Sequence, residues 1–175
     1  AISEYEHSAN LDTAQVAPHL RLAAYYARTG LFEKTASELK IVLKLDPQNS
    51  QAHYLLGLIY SAQKKYDLAA QEYEYILDTA SKDTPQVLEL YTYLAQLYYS
   101  QKKYPQAITQ FRHILVLEPD NIAVNYSLGA AYLETNDRIK AREQFKKVLM
   151  LDPDHGEALN SLAYMYAEDG INLDD

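Results

Sequence analysis

Residues 125–154 read NYSLGAAYLETNDRIKAREQFKKVLMLDPD and end in a short turn sequence that contains proline. Similar endings occur as LKLDPQN at 43–49 and as LVLEPDN at 115–121. Pro119 and Pro153 of these endings lie 34 residues apart. A fixed period of this length indicates a stack of repeated supersecondary units. A plain helical bundle would show the helical period near 3.6 without a period of 34 residues.

Other columns of the sequence follow the same period and predict two antiparallel helices per unit. In the first helix a Leu, a small residue and a Tyr share one face, as at Leu56, Gly57 and Tyr60. In the second helix a small residue precedes an aromatic one by four positions, as at Ala69 and Tyr73. Small residues allow two helices to approach closely, and the large residues fill the space between neighbours. The proline then closes the unit, because it cannot continue the preceding helix.

The turn between the two helices of each unit is marked by a different signal from the closing turn. We predict that it lies at Gly30 and at the pairs Lys64-Lys65, Lys102-Lys103 and Asn136-Asp137.

This pattern resembles the tetratricopeptide repeat (TPR) family. Residues 125–154 match the family pattern at nearly every signature position, and HYLLGLIYSAQKKYDLAAQEYEYIL at 53–77 matches almost as well. The one departure in the first of these segments is Asn125, which stands where a bulky apolar residue is usual. The resemblance covers the whole chain and implies an all-α fold, a right-handed α-solenoid of antiparallel helix pairs.

The period divides residues 1–175 into the parts of a single TPR solenoid domain. The parts are a second helix at 1–15, full repeats at 16–49, 50–87, 88–121 and 122–155, and a first helix at 156–175. Neither end shows the polar capping helix with which a solenoid normally finishes. We therefore expect a fragment of a longer repeat protein, and GINLDD at 170–175 resembles terminal units of bacterial TPR proteins.

The unfinished ends also predict head-to-tail self-association. The last helix has Leu159, Leu162 and Tyr166 on the face that a further helix would cover. A contact of this kind is heterologous and propagates unless it closes into a ring.

Four extra residues interrupt the period in SKDTPQV at 81–87. We interpret them as a lengthened surface loop, with a recognition or modification loop as the alternative. Because lengthening a loop costs little free energy, we expect the third repeat to stack on the second with near-regular geometry.

No motif for catalysis or for a cofactor is present in the sequence. The chain has no cysteine, and it contains no Gly-rich phosphate loop, HExxH or GxSxG motif. We interpret His19 and His53 as packing residues and carboxylates such as Glu72 as solvated helix faces. The sequence thus predicts a protein that is not an enzyme and that needs neither a metal ion nor another cofactor.

The charge balance restricts the partners. A net charge of -8 argues against nucleic acid, because phosphate contacts need a basic surface. No apolar run approaches the length of about 20 residues that spans a bilayer, so we expect no direct membrane insertion. The sequence does not distinguish a cytoplasmic from a periplasmic location.

The resemblance implies that a concave wall, built by the first helices, holds a peptide or helix from a partner protein. Two specialised sites of the family are absent, since this wall has no Lys for a carboxylate clamp and no Asn ladder. The expected groove residues are Arg21, Arg28, Tyr54, Leu58, Tyr93, Gln96, Tyr99, Tyr126, Glu134 and Glu168. Tyrosine suits such a surface because it offers a large area and a hydroxyl that can stay wet.

These features predict a non-enzymatic protein–protein interaction scaffold. Two alternatives stay open at this point: a regulatory or substrate-docking segment of a larger enzyme, and a homotypic assembly module.

Overall fold

The computed structural model describes residues 15–79 and 86–170, and within these ranges it contains α-helices and turns without a strand. The chain divides into two compact units, residues 1–84 and 85–175. The helices are α1 (Val16–Arg28), α2 (Phe32–Leu45), α3 (Ser50–Ala62), α4 (Tyr66–Thr79), α5 (Gln86–Ser100), α6 (Tyr104–Leu117), α7 (Ile122–Glu134), α8 (Arg138–Leu151) and α9 (Gly156–Glu168). The all-α fold expected from the sequence is confirmed for these residues.

Three of the sequence expectations fall on parts of the chain outside the described residues. They are the preceding second helix, of which only Gln15 is described, most of the 81–87 segment, and the last five residues of GINLDD.

In unit one, α1 packs against α2, α3 packs against α4, and α2 also contacts α3. The first pair is held by Leu22 and Leu39, which are almost completely buried. The second pair buries Leu56 and Tyr73 in the same way. The apolar columns found in the sequence are therefore the contacts between the helices of one repeat.

Unit two repeats this arrangement with α5 against α6 and α7 against α8, while α6 contacts α7 and α8 contacts α9. Its core includes Leu94, Ile114 and Phe145. The helix α9 packs on α8 through Leu162, which is only 6% exposed. Our expectation that Leu162 is uncovered is therefore wrong, because α8 already covers this face; Leu159 on the same helix stays 46% exposed.

The turn inside each helix pair has a left-handed residue at the same repeat position. The φ angles are 73° at Gly30, 58° at Lys64, 58° at Lys102 and 60° at Asn136. A left-handed residue ends an α-helix and reverses the chain within a few residues. The four turns predicted from the sequence are confirmed.

The closing turns end with a residue that caps the next helix. Asn49 accepts a hydrogen bond from the backbone N–H of Ala52 at 3.0 Å, and Asn121 accepts one from Val124 at 3.0 Å. Such a cap pairs one of the amide groups that the first turn of a helix leaves free. The proline stops one helix, and the cap two residues later starts the next one.

Candidate functional site

The expected groove residues of unit one lie on α1 and α3. Arg21 and Arg28 are exposed on α1, and Tyr54 and Leu58 are half-buried on α3. The ring centroid of Tyr54 lies 6.3 Å from that of the buried Tyr73. Tyr54 therefore packs against a ring of α4, the second helix of its repeat, while part of its own ring stays in contact with solvent.

In unit two, Tyr93 and Gln96 of α5 line a shallow depression of about 340 Å³. The Tyr93 hydroxyl donates a hydrogen bond to Glu89 Oε1 at 3.0 Å, one helical turn earlier. This bond orients the Tyr93 ring along the helix. Gln96 is exposed and also lines the depression.

A larger cavity of about 610 Å³ lies among α5, α6 and α7 of unit two. It brings together three of the expected site residues, Gln96, Tyr99 and Tyr126. The other lining residues are Leu88, Thr92, Ala95, Ser100, Phe111, Ile114, Glu118, Asn121, Ala123, Val124, Ser127 and Ala130. Its volume is within the range of pockets that hold small ligands or inserted side chains.

Ring contacts hold the two tyrosines of this cavity. Tyr99 meets Tyr104 edge to face at 5.4 Å between centroids and Phe111 at 6.3 Å. Tyr126 contacts Phe145 at 5.6 Å and His155 at 5.2 Å. Aromatic pairs at such distances stabilise one another beyond the area that they bury, so both tyrosines are held by rings outside their own helices.

Two tyrosines at or beside the cavity, Tyr99 and Tyr104, have raised pKa values. Burial raises the pKa of Tyr99, and the negative charge of Glu134 and the neighbouring Tyr126 raise it further. Burial also raises the pKa of Tyr104, together with the charge of Glu134 and a hydrogen bond to its carboxylate. Burial is the largest cause of both shifts, and the nearby Glu134 carboxylate adds to it because an anion disfavours the phenolate form.

The two acidic site residues already have partners within unit two. Glu168 accepts hydrogen bonds from the Tyr164 hydroxyl at 2.5 Å and from Arg138 Nη1 at 2.7 Å. These two donors hold the pKa of Glu168 below its ordinary value. Glu134 is exposed and accepts the hydrogen bond from Tyr104. A basic ligand group therefore finds more uncompensated charge at Glu134 than at Glu168.

Two His–Glu pairs in unit one join the two helices of a repeat. They differ from our expectation of packing histidines and solvated carboxylates. His19 Nδ1 lies 2.7 Å from Glu38 Oε2, and His53 Nδ1 lies 2.6 Å from Glu72 Oε2. Both histidines are buried, as expected, but Glu72 is a partner of His53 and not a solvated residue. The signal was present, because each Glu follows its His by 19 residues in two successive repeats.

His53 also reaches the closing turn that precedes it. Its Nε2 lies 3.0 Å from the carbonyl oxygen of Pro47. In the fourth repeat Asn125 also contacts the preceding closing turn. Its Nδ2 donates to the carbonyl oxygens of Pro119 at 3.1 Å and Asn121 at 2.8 Å. The polar residue at this position therefore ties a first helix to the proline turn before it.

Neither a metal centre nor a membrane span is evident in the part of the chain that the structure describes. Within residues 15–79 and 86–170, no three His, Asp or Glu side chains are grouped so that they could hold a metal ion. No helix in these ranges has the length and apolar character needed to cross a bilayer.

Comparison with known families agrees with the helix-pair geometry. Three family models match the chain: one described as a tetratricopeptide repeat at residues 20–84, a second of the same description at 122–155, and one described as a TPR repeat at 95–136. The chain belongs to the tetratricopeptide repeat family. No curated protein is similar enough in sequence to be counted as a relative.

Solved structures share the fold at low sequence identity. YrrB, described as a TPR protein with an unusual peptide-binding site, is 17% identical with a TM-score of 0.74, over 99% of this chain and 87% of its own. A MamA protein is 24% identical with a TM-score of 0.70, over 90% and 84%. MamA from Desulfovibrio magneticus RS-1 is 19% identical with a TM-score of 0.67, over 89% and 85%. Membership of the family supports a protein-interaction scaffold.

Proposed function

We propose that this protein is a non-enzymatic scaffold that binds a peptide or helix of a partner protein on the concave faces of its first helices. The observation that carries the proposal is the cavity of about 610 Å³ in unit two, with Tyr99 and Tyr126 at its border. Large, ring-supported tyrosines beside an apolar cavity are the kind of anchor that dominates protein-binding energy.

The charged residues of each unit favour a partner of the opposite charge. In unit one, Arg21 and Arg28 on α1 would receive acidic groups of a partner, and Leu58 would receive an apolar one. In unit two, Glu134 and Glu168 would receive basic groups, and Tyr93 and the cavity would receive apolar ones. Charge complementarity of this kind speeds encounter and fixes orientation more than it adds affinity.

The test is affinity capture with the purified chain, followed by binding kinetics with the captured partner. We expect Tyr93→Ala to weaken binding through faster dissociation, and Arg28→Glu to slow association and flatten its dependence on salt. Met150→Ala and Arg112→Glu are the controls, because both side chains are exposed on second helices of unit two.

The outcome that refutes the proposal is a partner that binds both groove variants as well as the parent chain while losing affinity for either control variant. The second helices would then be the binding surface.

Homotypic assembly is the second candidate, and the exposed Leu159 on α9 is the observation that favours it. Sedimentation velocity over a range of concentrations tests it, with Leu159→Ser expected to abolish any association. A monomer at every concentration excludes this candidate without affecting the first one.

A further inference from the structure

The floor of the cavity in unit two is apolar and rigid. Ala95, Phe111 and Ile114 form part of it, and their exposed fractions are 0%, 6% and 1%. Residues so completely buried pack at the density of a protein interior and do not move to fill the space beside them. The cavity therefore offers an apolar side chain a preformed place, in which it would lose contact with water.

Three hydroxyl groups at the border of the cavity use their hydrogens within their own helices. Thr92 donates to the carbonyl oxygen of Leu88 at 2.8 Å, Ser100 to Leu97 at 2.9 Å and Ser127 to Ala123 at 2.8 Å. A hydroxyl that has donated its hydrogen can only accept further bonds. These three oxygens are thus acceptors toward any ligand.

The charged residues around the cavity also favour a ligand group that donates hydrogen bonds or carries positive charge. Glu118 is the one charged residue among those that line it, and Asn121 Nδ2 donates to its Oε2 at 2.8 Å. The side-chain oxygen of Asn121 caps α7, so it is already engaged, and one of the two Nδ2 hydrogens is committed to Glu118. Together with the field of Glu134 at Tyr99, the cavity presents apolar walls with acceptors and negative charge at the edge.

We infer that the cavity receives a bulky apolar side chain of the partner, and that a lysine or arginine next to it in the partner sequence contacts the acceptor-rich edge. The inference rests on the proposed function, which it narrows to one ligand chemistry and to one unit of the chain. The hydroxyls of Tyr99 and Tyr126 are suited to bond the peptide backbone between the two side chains.

Capped dipeptides test separately whether binding needs the bulky apolar side chain and whether it needs the neighbouring cation. The probes are N-acetyl-Trp-Arg-amide, N-acetyl-Trp-Glu-amide and N-acetyl-Gly-Arg-amide, titrated into the full chain with labelled Ala and Ile methyl groups. We expect Trp-Arg to shift the methyl resonances of Ala95 and Ile114 and to leave that of Ala24 on α1 unchanged. Trp-Glu should bind about threefold to fivefold more weakly, as for a solvent-exposed ion pair, and Gly-Arg should cause no shift.

Filling the cavity tests its location. Ala130→Leu should weaken Trp-Arg binding by about tenfold or more, because the added side chain occupies the ligand's place. Ala24→Leu is the matched control, since Ala24 holds the same repeat position on α1. If Ala130→Leu lowers the melting temperature, Ala123→Leu replaces it, because Ala123 is an exposed lining residue, with Ala17→Leu as its control.

Three results overturn the inference: no methyl shift with Trp-Arg, equal affinity for Trp-Arg and Trp-Glu, or an Ala130→Leu variant that keeps full affinity while folded. If a captured partner still depends on Tyr93 and Arg28 in any of these cases, the proposed function stands and only the ligand chemistry is refuted. If neither the dipeptides nor a partner bind the intact fold, both fail.

Discussion

Gly57 and Gly129 are the places where the two helices of a repeat come closest. A Cβ atom at Gly129 would lie 2.8 Å from Cε1 of Phe145, and one at Gly57 would lie 2.7 Å from Cζ of Tyr73. Both rings are fully buried, so neither can swing aside without displacing other core residues. The small column of the sequence is therefore a packing requirement of the helix pair.

We predict that Gly57→Leu and Gly129→Leu each destabilise the protein by about 3 kcal/mol or more, since inserting extra methylenes into a well-packed core typically costs about 1–3 kcal/mol and here even the Cβ atom clashes. Urea denaturation followed by circular dichroism measures the change. Gly156→Ala is the control, because no atom lies within 4 Å of its added Cβ, and it should be close to neutral. Unchanged midpoints for both leucine variants would show that the helices are farther apart than described.

Lys64 and Lys102 take a left-handed backbone conformation with φ of 58°, which costs an ordinary residue about 1–2 kcal/mol. Glycine avoids this cost but loses more entropy on folding. We predict that Lys64→Gly stabilises the fold by about 0.5–1 kcal/mol in the same denaturation assay. The reverse change, Gly30→Ala, should destabilise it, because φ there is 73° and no steric contact adds to the effect. A loss of stability in Lys64→Gly would contradict the prediction.

At the scale of the elements, α9 is held to α8 by a set of ion pairs. Arg138 contacts Glu168 Oε2 at 2.7 Å and Asp169 Oδ1 at 3.1 Å, and it also donates to the carbonyl oxygen of Met165 at 3.1 Å. Arg142 contacts Asp169 as well. These bonds tie the C-terminal end of α9 to α8.

We predict that acid loosens α9 before the rest of unit two. The pKa of Glu168 is lowered in the folded protein, so its contribution to stability is present above the ordinary carboxyl pKa and is lost as pH falls through the lowered value. The protection factors of the α9 amides, which are corrected for the intrinsic pH dependence of exchange, should therefore fall about severalfold below pH ~4. Arg138→Ala should show the faster exchange already at neutral pH, whereas Lys146→Ala should not. Uniform protection of α9 in Arg138→Ala would refute this account.

The sequence predicted the helix pairs because they follow from spacing alone. A Leu, a small residue and a Tyr on one helix face specify what the neighbouring helix must bury, and the proline and left-handed positions specify where each helix stops. The burial of Leu162 does not follow from the repeat pattern of α9 itself, because the helix that covers it is α8 of the preceding repeat.

The cavity could be predicted only in part. Spacing places Gln96, Tyr99 and Tyr126 on first helices, but the volume between them depends on how the rings turn. Tyr99 packs against Tyr104 and Phe111, and Tyr126 packs against Phe145. With the rings in these positions, the cavity lies beside Ala95. Rotamers of this kind are set by packing partners in other helices, which no local pattern contains.

For the whole molecule, the two compact units indicate where the chain can be divided. In repeat proteins each repeat draws its stability from itself and its neighbours. We predict that residues 85–175 alone form a helical unit with dispersed amide resonances like those of the same residues in the full chain. A fragment of residues 104–175 is the control, since it leaves α6 without α5, and α6 should then lose protection. An unfolded 85–175 fragment would contradict the division.

The contacts of His53 with Glu72 and with the Pro47 carbonyl affect where repeats of this kind can recombine without losing contacts. Repeats multiply and shuffle by recombination, and a crossover at the proline keeps each first-helix residue with its own second-helix partner. A crossover at the inter-helix turn would place Asn125 opposite a Glu like Glu72. Both amide hydrogens of Asn125 are already committed, so that half-buried carboxylate would lose the donor that His53 gives to Glu72. A crossover at the proline therefore preserves these contacts, whereas one in the middle of the helix pair would not.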